Sequence, residues 1–411
     1  MINDDSININ EITNSESLNG VYILAEHEGQ IDEIVFLCRS LGVMPLSYMD
    51  RITSLLEKEG LVVWHVSRKA QKYKSEIKKL GSKCVLLFSD TSSAYANYLA
   101  RNSYSIVLFS KSLTSINKSY YHSLASYTAS CGCLMNRLHQ MFGFTEKLYG
   151  NEIHGILSCG VYDFLRHLYY KIIFGFRTGY ADLPGLYAQK VMVPTQEIKG
   201  IYLEHGFSDK NIIVSGSFWE DLYTDVYKKY IDEHASNEID VLFFSQPMYM
   251  YIESKENWIA EVEALVDDCA SEGLNITILL HPREDYHYYQ HLEGKAKLVS
   301  GKRCLNENIQ YVLKSKLVVI KSSTTHLIPL VCNVPVAYLN YKGIYPLCDM
   351  TKSFSQGMIL TKDNMLNNVF ESVLTRNGKI VKKQREYLKT IGIFDGQSTK
   401  RIRKLILDII S

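Results

Sequence analysis

Two clusters of side chains in this sequence are equipped to hold a phosphate. The first is His281-Pro282-Arg283-Glu284, directly after the apolar run Asn275-Ile-Thr-Ile-Leu-Leu280. An imidazole can donate to a departing phosphate oxygen, and a guanidinium adds charge-assisted hydrogen bonds. Pro282 fixes φ and has no N–H, so the chain must turn there and hold the imidazole at the turn. The second cluster is Lys321-Ser322-Ser323-Thr324-Thr325-His326, after the apolar run Leu317-Val-Val-Ile320. Small hydroxyl residues ahead of an apolar run mark a helix N-terminus, whose free N–H groups and dipole favour an anion. Each cluster alone has an ordinary explanation, as a strand-end histidine or an N-cap. Their shared position after successive strand candidates predicts a phosphate site.

The elements that must position these residues read as short apolar runs separated by helices. In the first half the strand candidates are Gly20–Ala25, Leu61–Val66, Lys83–Phe88, Ser105–Phe109 and Gln189–Val193, with helical spacing over Ile31–Leu41 and Asp50–Lys58. Residues 120–180 read as mostly helical. A second series runs through Asn211–Gly216, Ile239–Phe244, Asn275–Leu280, Leu317–Ile320 and Pro335–Leu339. Helices are expected over Trp258–Cys269, Asn306–Ser315 and Ser398–Ile410. Such alternation predicts an α/β protein built from parallel βαβ units. The expected division is a disordered polar lead over 1–18, a doubly wound Rossmann-like domain over 19–197, a second over 198–390, and a closing helix over 391–411. In facing domains of this kind the ligand lies in the cleft, at the carboxyl ends of the strands.

Composition narrows the function classes. A net charge of +1 over 411 residues gives no basic excess for a nucleic-acid partner. Nine cysteines without metal-ligand spacing read as reduced thiols, and the polar start MINDDSININE does not read as a secretory signal. The expected location is therefore cytoplasmic. Peripheral contact with the inner face of the plasma membrane is left open by the tyrosine-rich stretch Arg166–Arg177 and by the basic amphipathic run Thr399–Ile410, which packing on the body explains equally. No phosphate loop, dinucleotide fingerprint or Asp-x-Asp motif is found, so no metal or other cofactor is expected.

The two clusters resemble the His-Pro and Ser-Ser/Thr motifs of bacterial sialyltransferases and related capsule and lipopolysaccharide glycosyltransferases of the GT-B fold. The resemblance covers roughly residues 200–350 and the two-domain plan. It implies that His281, Ser322 and Ser323 engage the phosphate of a CMP-activated sialic acid or related keto sugar acid. Pro282, Arg283, Glu284 and Thr324 join the same donor-binding set. Ser245 and Gln246, before Pro247, stand where such enzymes have a cleft-facing loop. Val193-Pro194-Thr195, Glu204-His205-Gly206 and Val214-Ser215-Gly216-Ser217 are similar to the interdomain passage, with Gly216 counted on the donor side. CDP-glycerol phosphotransferases share similar pieces, so a UDP, GDP or CDP donor, in a transferase or an epimerase, is the alternative.

The same families carry an acidic-acidic-Gly motif after the first strand of the N-terminal domain. Here Ala25-Glu26-His27-Glu28-Gly29 occupies that place, with His27 where an acid is expected. Glu28 is the candidate base for an acceptor hydroxyl, with His27 and Asp90 as alternatives. His27, Gly29, Asn136, Arg137 and His139 form the acceptor-side set. The implied reaction is metal-independent and inverting. It moves the sugar acid onto a bacterial surface glycan or a lipid-linked glycan acceptor.

Overall fold

The computed structural model describes residues 18–88, 94–108, 189–204, 208–230, 238–246, 254–321, 324–342, 358–361, 363, 366–390 and 395–411. Asn136, Arg137, His139, Asp90, Pro247, Ser322, Ser323 and the Arg166–Arg177 stretch lie outside them, as do His205 and Gly206.

The described residues form two parallel sheets. The first has seven strands in the order β3-β2-β1-β4-β5-β6-β7. These are β1 Val21–Leu24, β2 Met44–Ser47, β3 Trp64–His65, β4 Cys84–Phe88, β5 Tyr104–Leu108, β6 Lys190–Val193 and β7 Ile212–Val214. The second has six, in the order β10-β9-β8-β11-β12-β13. They are β8 Ile239–Phe244, β9 Ile276–Leu279, β10 Ala296–Val299, β11 Ser315–Ile320, β12 Val336–Leu339 and β13 Ile359–Leu360. Every residue of β1, β4, β9 and β12 is buried, except for Thr277 all apolar or aromatic. Continuous apolar runs of this kind are what a parallel sheet covered on both faces requires. Both strand orders reverse direction once, between β1 and β4 and between β8 and β11. The architecture is the expected GT-B arrangement of two Rossmann-like domains with a cleft.

Helices cover the faces. They are α1 Ile31–Leu41, α2 Asp50–Lys58, α3 Ala70–Leu80, α4 Ala94–Asn102, α5 Gln196–Glu204, α6 Phe218–Lys228, α7 Lys255–Ser271, α8 Leu305–Leu313, α9 Leu327–Val331, α10 Leu366–Thr390 and α11 Ser398–Ile410. α1 stops at Gly42, whose φ of 71° lets its N–H reach back to the carbonyl of Cys38. α7 starts at Ser254, whose hydroxyl accepts the N–H of Asn257 at 3.2 Å.

Three sequence expectations are corrected. The run Asn211–Gly216, expected to open the second series, supplies the seventh strand of the first sheet, because Val191, Met192 and Val193 pair with Ile212, Ile213 and Val214. The passage between sheets therefore follows Val214 rather than residue 197. The expected strand Leu61–Val66 reduces to the two exposed edge residues Trp64 and His65. β2 is not among the expected strands, and it contains Pro45. β3 pairs only with Leu46 and Ser47, so Pro45 lies beyond its reach and its missing N–H is tolerated.

α6 and α11 carry the two passages between the domains. Phe218 packs in the core of the first domain, while Leu222, Tyr223 and Val226 of the same helix pack in that of the second. α11 returns the chain, burying Ile402 and Ile406 in the first core. Its basic residues hold protein: Arg403 donates to the carbonyl of Leu41 at 2.6 Å and Arg401 to that of Ser215 at 2.7 Å. No helix among the described residues is long and apolar enough to cross a membrane.

Candidate functional site at the carboxyl edge of the second sheet

The carboxyl ends of β8, β9 and β11 are neighbours, since β8 pairs in parallel with both others. They deliver Ser245, His281 and Lys321 to one edge of the sheet, at the point where the strand order reverses. That is where doubly wound sheets open a crevice for a ligand.

The histidine is held by a tight turn. His281 carbonyl accepts the N–H of Glu284 at 2.8 Å, with Pro282 at the second position, which suits its fixed φ. The N–H of Arg283 donates to Nδ1 of His281 at 3.1 Å. A backbone N–H can only donate, so Nδ1 carries no proton and the ring is neutral with its hydrogen on Nε2. The electrostatics agree. Burial first, then the charges of Arg283 and Arg303, push the imidazole down to about 4. The ring therefore presents a fixed N–H donor at neutral pH, suited to a phosphate oxygen.

Glu284, expected among donor-binding residues, faces inward and holds this turn. Its Oε2 accepts the N–H of His281 at 2.8 Å. Its Oε1 accepts the hydroxyls of Ser245 at 2.8 Å and Tyr289 at 2.6 Å, and lies 3.3 Å from the indole N–H of Trp258. That indole also donates to the Tyr289 hydroxyl at 2.8 Å. Ser245, likewise expected to meet the donor, is 4% exposed and directs its hydroxyl into this network. Gln246 is half-buried, and Pro282 and Arg283 are exposed at the rim.

Arg303 was missed by sequence reading, although Lys302-Arg303 just beyond β10 is a visible basic pair. Its guanidinium donates to the carbonyls of Leu280 at 2.7 Å and Val299 at 3.1 Å, tying the ends of β9 and β10 together beneath His281.

At the end of β11, Lys321 forms a fully buried ion pair with Glu261 of α7. The other oxygen of Glu261 accepts the N–H of Lys342, beyond β12, at 3.3 Å. The expected helix start after β11 is a 3-10 turn, Thr324–His326, leading into the five-residue α9. So short a helix sums few peptide dipoles, and anion binding there must rest on individual N–H and hydroxyl donors. Gly216 lies elsewhere, at the end of β7 on the edge of the first sheet, with φ of 75°.

The first domain presents the loop after β1. His27 and Gly29 are exposed. Glu28 is paired with Arg51 at 2.8 Å, and its second oxygen lies 3.8 Å from Lys302 of the other domain. The loops after β1 and β10 therefore meet across the cleft. Glu26, two residues earlier, is 5% exposed and accepts the Tyr48 hydroxyl at 2.7 Å. It is the buried carboxylate of this strand end, and sequence reading passed over it in favour of the motif position. Among the described residues no group of His, Cys, Asp or Glu is arranged to hold a metal ion.

No protein-family model matches the sequence, and no curated protein matches it. Solved structures do match in fold. The UDP-GlcNAc 2-epimerase of Neisseria meningitidis bound to UDP-GlcNAc aligns with a TM-score of 0.54 at 13% identity, over 94% of this chain and 99% of that one. The MnaA–UDP complex of S. aureus aligns at 0.56 and 14%, over 95% and 97%. Anabaena HepE in complex with UDP and glucose aligns at 0.55 and 10%, over 94% and 99%. The chain is similar to these proteins in its whole two-domain plan, and at such identities the likeness is one of fold.

Proposed function

We propose that this chain is an enzyme acting on a nucleotide sugar, a transferase or epimerase with a UDP-type donor. The observation that carries the reading is His281. It is neutral, with its proton fixed on Nε2, and it stands at the switch-point edge of the second sheet. That setting suits a donor to the phosphate of a nucleotide. The solved proteins of similar fold contain UDP or UDP-GlcNAc, which favours UDP over the CMP-activated sugar acid that the motifs alone imply.

In this reading the nucleotide phosphates lie against Nε2 of His281, the Arg283 guanidinium and the hydroxyl run Ser322-Ser323-Thr324. Charge developing on the leaving phosphate is met by fixed donors, with Arg303 adding positive potential from below. No metal is assigned a part, and chelation should leave the activity unchanged. Glu28, which reaches towards Lys302 across the cleft, is assigned the proton transfer on the sugar or acceptor side. Glu26 is the alternative. For a transferase the acceptor is a surface glycan or its lipid-linked precursor.

A second reading is kept because the His281-Pro282 and Ser322-Ser323 pair resembles sialyltransferase motifs: transfer of a sialic acid from CMP onto a capsule or lipopolysaccharide glycan. Thermal unfolding with UDP, CMP, CDP and GDP in turn separates the two. Stabilisation by UDP supports the first, stabilisation by CMP alone supports the second, and indifference to all four sinks both.

A further inference from the structure

Glu220, a buried acid, and Asp221, a half-buried one, have no part in the chemistry above. They are consecutive in the first turn of α6, the helix that leads from the first domain into the second. Glu220 is 5% exposed. Both face the start of α11, the returning helix. Glu220 Oε2 accepts the N–H of Gly396 at 2.8 Å. Asp221 Oδ2 accepts the N–H of Thr399 at 2.7 Å and its hydroxyl at 2.6 Å. The two passages between the domains are thus fastened to each other through this pair.

Among the described residues no cation is bonded to either carboxylate. Arg401 acts on both acids through its charge, but its guanidinium bonds Asp395 twice at 2.7 Å and the carbonyl of Ser215. Asp395 is a third acid on the α11 side, and Asp32 and Glu33 of α1 act on Tyr223, one turn further along α6. Glu307 of α8 turns back to the N–H of Cys304, and α9 has His326 at its N-cap. Asp221 Oδ1 is buried and meets no donor among the described residues. A proton on Glu220 supplies that donor, and it removes the repulsion between two adjacent carboxylates.

We propose that one proton shared between Glu220 and Asp221 latches α11 onto α6, and that its loss loosens the coupling between the two domains. Burial, and then the charge of Asp221, push the Glu220 carboxyl up to about 8. With the latch open, both acids reach water and titrate as ordinary carboxyls near roughly 4. The closed state therefore binds more protons than the open one between about 4 and about 8. The sign follows: raising the pH through that window favours opening, by up to about tenfold per pH unit, and above about 8 the effect levels off.

The test is hydrogen exchange of the α11 amides in the full chain from pH 5 to 9, expressed as protection relative to the unfolded rate. The wild type should lose protection as pH rises and reach a plateau above about pH 8. Glu220→Gln keeps a neutral donor in place and should make the protection independent of pH. Asp221→Asn removes the second charge but leaves burial acting on Glu220, so the loss of protection should become smaller and begin at a different pH, which decides the matter if the first variant does not fold. Protection in the wild type that ignores pH would overturn the latch. So would an unchanged pH profile in either folded variant, or protection that follows added Ca²⁺ or Mg²⁺ in place of pH.

Discussion

The N–H of Arg283 points at Nδ1 of His281 across 3.1 Å, and this one bond decides which nitrogen of the imidazole can serve a ligand. Nε2 is left as a donor. Replacing His281 with Ala should weaken nucleotide binding by about tenfold to a hundredfold, the value of one hydrogen bond to a charged acceptor. His281→Asn, which keeps an N–H, should recover part of it. Titration calorimetry with UDP is the measurement. Equal affinity in wild type and H281A would remove His281 from the site.

The same ring predicts a pH dependence of stability. Its folded-state value is depressed to about 4, below the ordinary histidine value. The folded form therefore keeps the ring neutral where the unfolded chain protonates it. This contribution is fully present above about pH 6.5 and is lost as pH falls through about 4. Solvent screening of this partly exposed ring reduces it to about 1–2 kcal/mol. The difference in unfolding free energy between wild type and His281→Gln should shrink from pH 7 to pH 4, read by urea denaturation. A difference that stays constant would show that the ring is not held neutral.

Glu284 accepts Ser245, Tyr289 and the His281 N–H through one carboxylate, with Trp258 close by. Glu284→Ala leaves these donors without their acceptor. Stranding buried donors costs about 1–3 kcal/mol each, and shared networks do not add linearly, so a total loss of about 2–4 kcal/mol is expected. Glu284→Gln should cost less. The Trp258 indole gives the readout, since its fluorescence should shift to the red in the alanine variant. An alanine variant as stable as wild type would mean that the turn holds itself.

Lys321 and Glu261 are both fully buried, so the pair is costly to break and cheap to replace. Lys321→Met alone should lose about 3–5 kcal/mol, because Glu261 is left charged and unpaired. Adding Glu261→Leu should recover most of that loss. A double variant as unstable as the single one would show that the pair's hydrogen bonds to neighbouring loops, and not charge burial, dominate.

Much of this was legible in the sequence, and the failures have physical causes. β1, β4, β8, β9 and β11 are readable because most of each is buried on both faces, which leaves a largely apolar run even where Asp240, Thr277 or Lys316 interrupts it. β10 is not, because it is an edge strand that interleaves Lys297 with partly exposed neighbours. β7 was seen as a strand but assigned to the wrong sheet, since its residues record burial and not partners. At the site, the positions of His281 and Lys321 at strand ends followed from their runs. The inward role of Glu284 did not. Its partners Ser245 and Trp258 lie 39 and 26 residues away, and only the fold brings them together. Glu26 and Glu28 are the same residue type two positions apart, and only the fold shows that Glu26 is the buried one.

Glu28 and Glu26 can be separated by one experiment. Glu28 is a partly exposed carboxylate between Arg51 and Lys302, so its ion pairs contribute only about 0–1 kcal/mol. Glu28→Gln should leave stability and UDP affinity unchanged. If Glu28 transfers the proton, turnover of a UDP-sugar should fall by about a hundredfold or more. Glu26→Gln keeps the volume of the side chain but replaces one acceptor oxygen beside the Tyr48 hydroxyl, so its first effect should be on stability. Nucleotide affinity measured alongside turnover distinguishes a lost proton acceptor from a damaged fold. Wild-type turnover in the Glu28 variant, with turnover lost and the fold intact in the Glu26 variant, would transfer the assignment to Glu26.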